Sequence, residues 1–303
     1  MDDLVSPTAL RFDGRPPDWY RWRDGLPRLA ARVLADWDLR PDGGAWTGEC
    51  SLVLGVQDSD SRPAALKLGW PHPEARHEHL ALREWGGEGS ARLLRADPAR
   101  GSLLLERLGE ADLTTVDVLE ACEVVGGLYR RLHRTATPQF DRLAQRAAGW
   151  SQRLQQLPAS APVPHRLVEQ AAALANEFAV DSATNGTLIH TDLHYTNVLA
   201  GRREPWLAID PKPLSGDPAF EVAPMLWNRW HEAVATGNIR GAIRARMGVL
   251  TWFSGLDEDR TRDWVIVRSL VNVLSTLEDS TALDTAERSW ITTNVTIAKA
   301  VQG

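Results

Sequence analysis

In His190-Thr-Asp-Leu-His-Tyr-Thr-Asn197 an aspartate and an asparagine are separated by four residues, and a second aspartate, Asp210, closes the apolar run Trp206-Leu-Ala-Ile. These groups suit phosphoryl transfer. That reaction needs a carboxylate beside the attacking hydroxyl, and hard oxygen ligands for Mg²⁺ ions that neutralise the β- and γ-phosphates of ATP. On this reading Asp192 orients the hydroxyl and accepts its proton, while Asn197 and Asp210 hold the metal. A rival reading takes His190 and His194 as ligands of a transition metal alongside a carboxylate, and a third treats the cluster as coincidence. His190 is expected to shape the loop by packing and hydrogen bonding rather than to join the chemistry.

Lys67 lies in the middle of Ala64-Ala-Leu-Lys-Leu68, where a charge is costly unless it has a partner. The alternatives are a lysine in solvent on an edge strand and a lysine that anchors the α- and β-phosphates while paired with a glutamate of the next helix. Glu78 is the best-placed partner and Glu74 the fallback. Lysine is scarce in this chain, only Lys67, Lys212 and Lys299 standing among many arginines, so each one is informative. Asp42-Gly-Gly-Ala-Trp-Thr-Gly-Glu-Cys-Ser51 could fold over phosphates through backbone N–H groups, with Ser51 at its end. No GKS or GKT follows, which argues against a P-loop. Glu106-Arg-Leu108, after the apolar Leu103-Leu-Leu, sits where a hinge should read adenine through its backbone, the Glu106 side chain being exposed.

The elements that must position these groups can be read coarsely. Trp19 to Asp38 is helical, with Pro27 opening a second helix. Glu49–Val56 and Pro63–Leu68 form a hairpin around a polar turn, Glu74–Trp85 a helix ended by Gly86-Gly87, and Arg92–Ala96 and Ser102–Leu105 two more strands. From Thr115 the pattern is helical, over 115–135, 139–156, 165–180 and from Trp264 to Leu277. It is interrupted once, by two short apolar runs around Gly201-Arg-Arg-Glu204.

The 43% hydrophobic and 24% charged composition is that of a globular chain, and a net charge of -6 gives no general attraction for nucleic acid. Cys50 and Cys122 are far apart and show no metal-ligand spacing, which fits a reducing cytoplasm. MDDLVSPTAL is acidic where an export signal is basic, and no apolar run is long enough to span a membrane.

The chain resembles the aminoglycoside phosphotransferase family, in the branch of the streptomycin and hydroxyurea kinases. The resemblance is carried by Leu188–Leu199 and Trp206–Glu221, with Ile209-Asp-Pro-Lys212 as the branch marker and Leu66–Trp70 in support. It implies an α+β, bilobal, protein-kinase-like fold. A nucleotide-binding lobe with a small antiparallel sheet would take residues 1–107, including a helical lead-in over 1–38, and a mostly helical lobe with the acceptor site 108–303. It also implies that Asp192 is the base, that Asn197 and Asp210 bind Mg²⁺, that Lys67 and Glu78 anchor ATP, and that Asp217 braces the catalytic loop through backbone N–H groups. Ser51, Glu106 and Leu108 would complete the nucleotide site. Lys212 would be a second phosphate contact, and Thr191, where many relatives have glycine, bears on acceptor access.

A polycationic aminosugar calls for carboxylates in the acceptor site, and Glu278, Asp279 and Glu221 are the candidates. Trp227 and Trp230 could stack on a guanidino or sugar face, or serve the core. The expectation is therefore a monomeric, cytoplasmic kinase of a small aminoglycoside-like acceptor. The alternatives are a kinase of another hydroxylated compound and a nucleotide-binding protein without turnover.

Overall fold

Helix α1 (Pro17–Asp36) begins on a proline, whose missing N–H costs nothing in the first turn. Pro27 lies inside this one helix and does not open a second. The hydrogen bond it removes is offset by burial of Trp19, Leu26, Ala30, Val33 and Leu34 on either side of it. The structure, a computed structural model, describes residues 15–48, 50–280 and 282–302. The start of the expected lead-in and Glu49, the expected first residue of the hairpin, lie outside the described residues.

A five-stranded antiparallel sheet follows, made of β1 (Arg40–Thr47), β2 (Ser51–Gln57), β3 (Pro63–Gly69), β4 (Leu93–Asp97) and β5 (Ser102–Glu106) in the order β1-β2-β3-β5-β4. The glycine-rich segment expected to precede the sheet is largely its edge strand, with an irregularity between Pro41 and Ala45 where Gly43 takes a φ of 96°. One sheet face, with Leu52, Leu54, Val56, Ala64, Leu66 and Leu68, packs on α1. Side chains alternate along a strand, so Lys67 faces the other way. There it meets α2 (Glu78–Trp85), which ends at Gly86 in the left-handed conformation.

The helical part contains α3 (Val118–Leu132), α4 (Leu143–Gln155), α5 (His165–Val180), α6 (Ala223–Trp227), α7 (Trp230–Ala235), α8 (Ile239–Ser254), α9 (Glu258–Asp279) and α10 (Thr285–Val301). Its core joins α4, α5 and α9 through Leu143, Ala147, Ala175, Trp264 and Val267, with Phe178 stacked on Trp264 at 3.9 Å between ring centroids. Five short strands interrupt the helices: β6 (Arg134–Thr135), β7 (Thr187–Ile189), β8 (Val198–Ala200), β9 (Trp206–Ala208) and β10 (Leu214–Gly216). β10, β7 and β6 form one sheet, and β8 and β9 a hairpin. Gly216, opposite Thr187, leaves room for the Ile189 side chain, whose Cδ1 would lie 2.2 Å from a Cβ placed there.

By packing the chain forms two units, the described residues up to Glu110 with Ala200–Leu207, and Ala111–Leu199 with the described residues from Ala208 onward. The hairpin tip belongs with the first because Arg203 donates to Glu106 (2.7 Å) and to the Ser90 carbonyl (2.6 Å). Among the described residues no helix is long and apolar enough to cross a membrane.

Candidate active site

The antiparallel pairing of Ile189 with Leu214 sets the residues leaving β7 beside those entering β10. The Lys212 N–H donates to the His190 carbonyl (3.0 Å), and the Thr191 hydroxyl donates to the Lys212 carbonyl (2.6 Å). Lys212 Nζ lies 2.9 Å from Asp192 Oδ2. The Ile209 N–H in turn donates to the Asn197 carbonyl (2.9 Å), which ties the end of the loop to the segment carrying Asp210. The structure thus gathers Asp192, Asn197, Asp210 and Lys212 on two adjoining stretches of the second unit.

The Asn197 side chain contacts the Asp192 carbonyl at 2.9 Å. A carbonyl can only accept, so the atom facing it is the amide nitrogen and the amide oxygen is turned away. That oxygen and the Asp210 carboxylate are hard donors of the kind that suits Mg²⁺. Neither histidine offers a lone pair to a transition metal. His190 Nε2–H donates to the Ile209 carbonyl (2.9 Å) and its Nδ1 accepts from the Asp192 N–H (3.3 Å). His194 Nε2 accepts from Asn197 (3.2 Å) while Nδ1–H donates to Thr196 Oγ1 (3.1 Å). Burial pushes both imidazoles below their ordinary pKa, in keeping with these neutral tautomers.

Thr191 has a φ of 66°, a left-handed conformation that a β-branched residue avoids. Three hydrogen bonds hold it there. Its N–H donates to Glu221 Oε1, its hydroxyl to Lys212, and its carbonyl accepts from Arg268 of α9 (3.1 Å). Glu221 is wholly buried, and its other oxygen accepts from His133 Nε2 (2.8 Å). A carboxylate so enclosed and so engaged cannot be an acceptor ligand, which corrects the expectation for Glu221. Asp217 is corrected too: it accepts from the Ala219 N–H (3.0 Å), from Trp264 Nε1 (2.6 Å) and from Arg260, so it ties the following turn to α9. The backbone brace on the loop 190–197 comes instead from Glu221.

A family model described as aminoglycoside/hydroxyurea antibiotic resistance kinase matches residues 36–280. The chain belongs to this family. It is 41% identical over 264 residues to streptomycin 6-kinase of Streptomyces griseus, covering 85% of both chains. Hydroxyurea phosphotransferase of Kitasatospora aureofaciens is 42% identical over 266 residues, covering 84% of this chain and 74% of the relative. A solved aminoglycoside phosphotransferase from Alicyclobacillus acidocaldarius shares the fold, with a TM-score of 0.55 at 14% identity over 89% of this chain and 92% of that one. The protein is accordingly a small-molecule kinase with a protein-kinase-like fold.

In the first unit of this kinase, Lys67 Nζ donates to both oxygens of Glu78, at 2.7 and 2.8 Å, and both side chains are buried. Glu78 therefore provides the counter-charge, and Lys67 does not stand in solvent. Ser51 opens β2, and its carbonyl accepts from the Gly48 N–H (2.9 Å). The Glu106 side chain, expected to be exposed, is engaged by Arg203 and by the Arg92 N–H (2.8 Å), so no carboxylate is left over for the nucleotide. Arg107 is also spent, on the carbonyls of Ala64 (2.9 Å) and Asp42 (2.7 Å), and Leu108 is half-buried beside it.

Of the remaining acceptor candidates, Glu278 forms an exposed ion pair with Arg153 of α4, and Asp279 is exposed at the end of α9. Trp227 meets Trp290 edge-to-face at 6.0 Å and lies 5.2 Å from the Arg268 guanidinium, a packing role, while Trp230 is half-buried in α7. What the sequence did not reveal are the roles of Arg268 and His133 and the pairing of Lys212 with Asp192. Only for Lys212 was there a signal, the scarcity of lysine.

Proposed function

We propose that this kinase transfers the γ-phosphoryl group of ATP to a hydroxyl of a streptomycin-like aminoglycoside, as a monomer in the cytoplasm. The observation that carries the reading is the 41% identity to a streptomycin 6-kinase over 85% of both chains, catalytic loop included. Asp192 orients the acceptor hydroxyl and takes its proton. Asn197 and Asp210 would hold Mg²⁺, which when bound neutralises the phosphate oxygens. Lys67, kept in place by Glu78, anchors the phosphates, and the segments at Ser51 and at Glu106–Leu108 contact the nucleotide through their backbone.

A second reading, a small uncharged acceptor such as hydroxyurea, draws on one structural observation. Two of the three carboxylates expected to receive a polycation are buried or already paired, Glu221 and Glu278. Mass spectrometry of reactions with ATP and Mg²⁺ over a panel of streptomycin, other aminoglycosides, hydroxyurea and amino alcohols separates the two. A phosphorylated streptomycin supports the first, a product from hydroxyurea alone supports the second, and transfer that survives Asp192→Asn would remove Asp192 from its role.

A further inference from the structure

Lys212 is fixed at its root more firmly than a half-exposed lysine usually is. Its N–H and its carbonyl are both bonded to the loop segment His190-Thr191. It stands between Pro211 and Pro213, which lock φ on either side and disfavour the helical region for Lys212 itself. From this fixed root the ammonium reaches Asp192 Oδ2 at 2.9 Å. Another basic side chain near Asp192, His194, cannot do the same. Its Nε2 is 3.8 Å from Oδ1, and its lone pair is committed to Asn197.

We infer that Lys212 is the positioning residue for Asp192, its ammonium holding Oδ2 so that the carboxylate plane is fixed and Oδ1 is presented to the acceptor hydroxyl. The inference rests on the role proposed for Asp192. A carboxylate on a flexible stem has to lose its rotation at the moment of reaction, whereas one already held in place does not. Lys212 sits two residues after Asp210, so the same short segment that carries a metal ligand also aims the base. The ion pair is partly exposed, with Lys212 at 36%, and adds little to stability. Its removal should therefore be read in turnover rather than in melting.

The test uses the full chain with the acceptor that wild type phosphorylates. Lys212→Ala should lower kcat roughly 10²-fold, as expected for a misplaced catalytic group, with KM for ATP near the wild-type value. Propylamine added to the Lys212→Ala variant should restore part of kcat with saturation and leave wild type unchanged, and Lys212→Arg should retain part of it. An unchanged kcat overturns the inference, and so does a loss that neither the amine nor arginine repairs. If the alanine variant fails to fold, Lys212→Met, which keeps the stem, is judged by the same readouts. A second arm needs no activity. Because Lys67, Lys212 and Lys299 are the only lysines, acetic anhydride labelling can be mapped by peptide mass, with exposed Lys299 as reference. Labelling of Lys212 should rise in Asp192→Asn, and equal labelling refutes the pairing. If wild type phosphorylates no acceptor, the proposed function fails while this arm still judges Lys212.

Discussion

The buried carboxylate of Glu221 accepts a hydrogen bond from the backbone N–H of Thr191, the residue immediately before the proposed base. Glu221→Ala would leave that N–H and the His133 ring nitrogen without an acceptor inside the protein, at about 1–3 kcal/mol for each buried group. We expect a fall of that order in urea-unfolding free energy and a lower kcat, with Glu221→Gln nearer to wild type because its amide oxygen can still serve Thr191. An alanine variant as stable and as active as wild type would deny Glu221 this bracing role.

Thr191 itself sets two effects against each other. Its left-handed backbone costs about 1–3 kcal/mol in a β-branched residue, whereas its hydroxyl bond to Lys212 returns about 1 kcal/mol. Thr191→Gly removes both and should leave stability within about 1 kcal/mol of wild type. Thr191→Val keeps the strain, discards the bond and should destabilise by about 1–3 kcal/mol. Chemical denaturation of the pair gives the ordering, and valine equal to or above glycine would mean that the strain is not real.

The Lys67–Glu78 pair separates stability from function. Both side chains are buried, so Glu78→Ala takes a carboxylate away from a buried ammonium and should cost about 3–5 kcal/mol. Replacing both, as Lys67→Met with Glu78→Leu, should recover most of that stability and none of the ATP turnover. Measured melting temperature and kcat should therefore part company in the double variant. Recovered turnover would show that Lys67 does not serve ATP.

Acid sensitivity should begin well above the carboxylate range. Burial lowers the pKa of His190 from 6.5, and protonating Nδ1 would set a donor against the Asp192 N–H. Below about pH 6.5 the unfolded chain takes up a proton that the folded loop refuses, so stability falls with pH by up to about 1.4 kcal/mol per unit until the folded pKa is reached. This stability is fully present above the unfolded pKa. His190→Asn should show a shallower slope between about pH 6.5 and 5 in urea titrations, and an unaltered slope would place the titrating group elsewhere.

The proposed site is legible in one dimension because Asp192, Asn197 and Asp210 belong to one loop and the strand pair after it, the kind of spacing along the chain that phosphoryl transfer would fix. Strands β2, β3 and β5 are legible because they are buried and apolar. Strand β1 is not, since an exposed, glycine-containing edge strand has no alternation to read. Asp217 and Glu221 lie four residues apart in one turn, and which of them braces the loop is decided at a distance, because Arg260 and Trp264 of α9 capture Asp217. Acceptor carboxylates are the least legible, because pairing such as Arg153 with Glu278 arises between helices remote in sequence.

The ladder that joins Thr187–Ile189 to Leu214–Gly216 closes residues 187–216 into a loop with a narrow neck, and Asp192, Asn197, Asp210 and Lys212 all lie inside it. The consequence concerns how such a protein can change its trade. If these four are the reacting groups, substitutions elsewhere in the chain leave the neck to keep them in register, so that the acceptor could change by drift outside the loop without first surrendering catalysis.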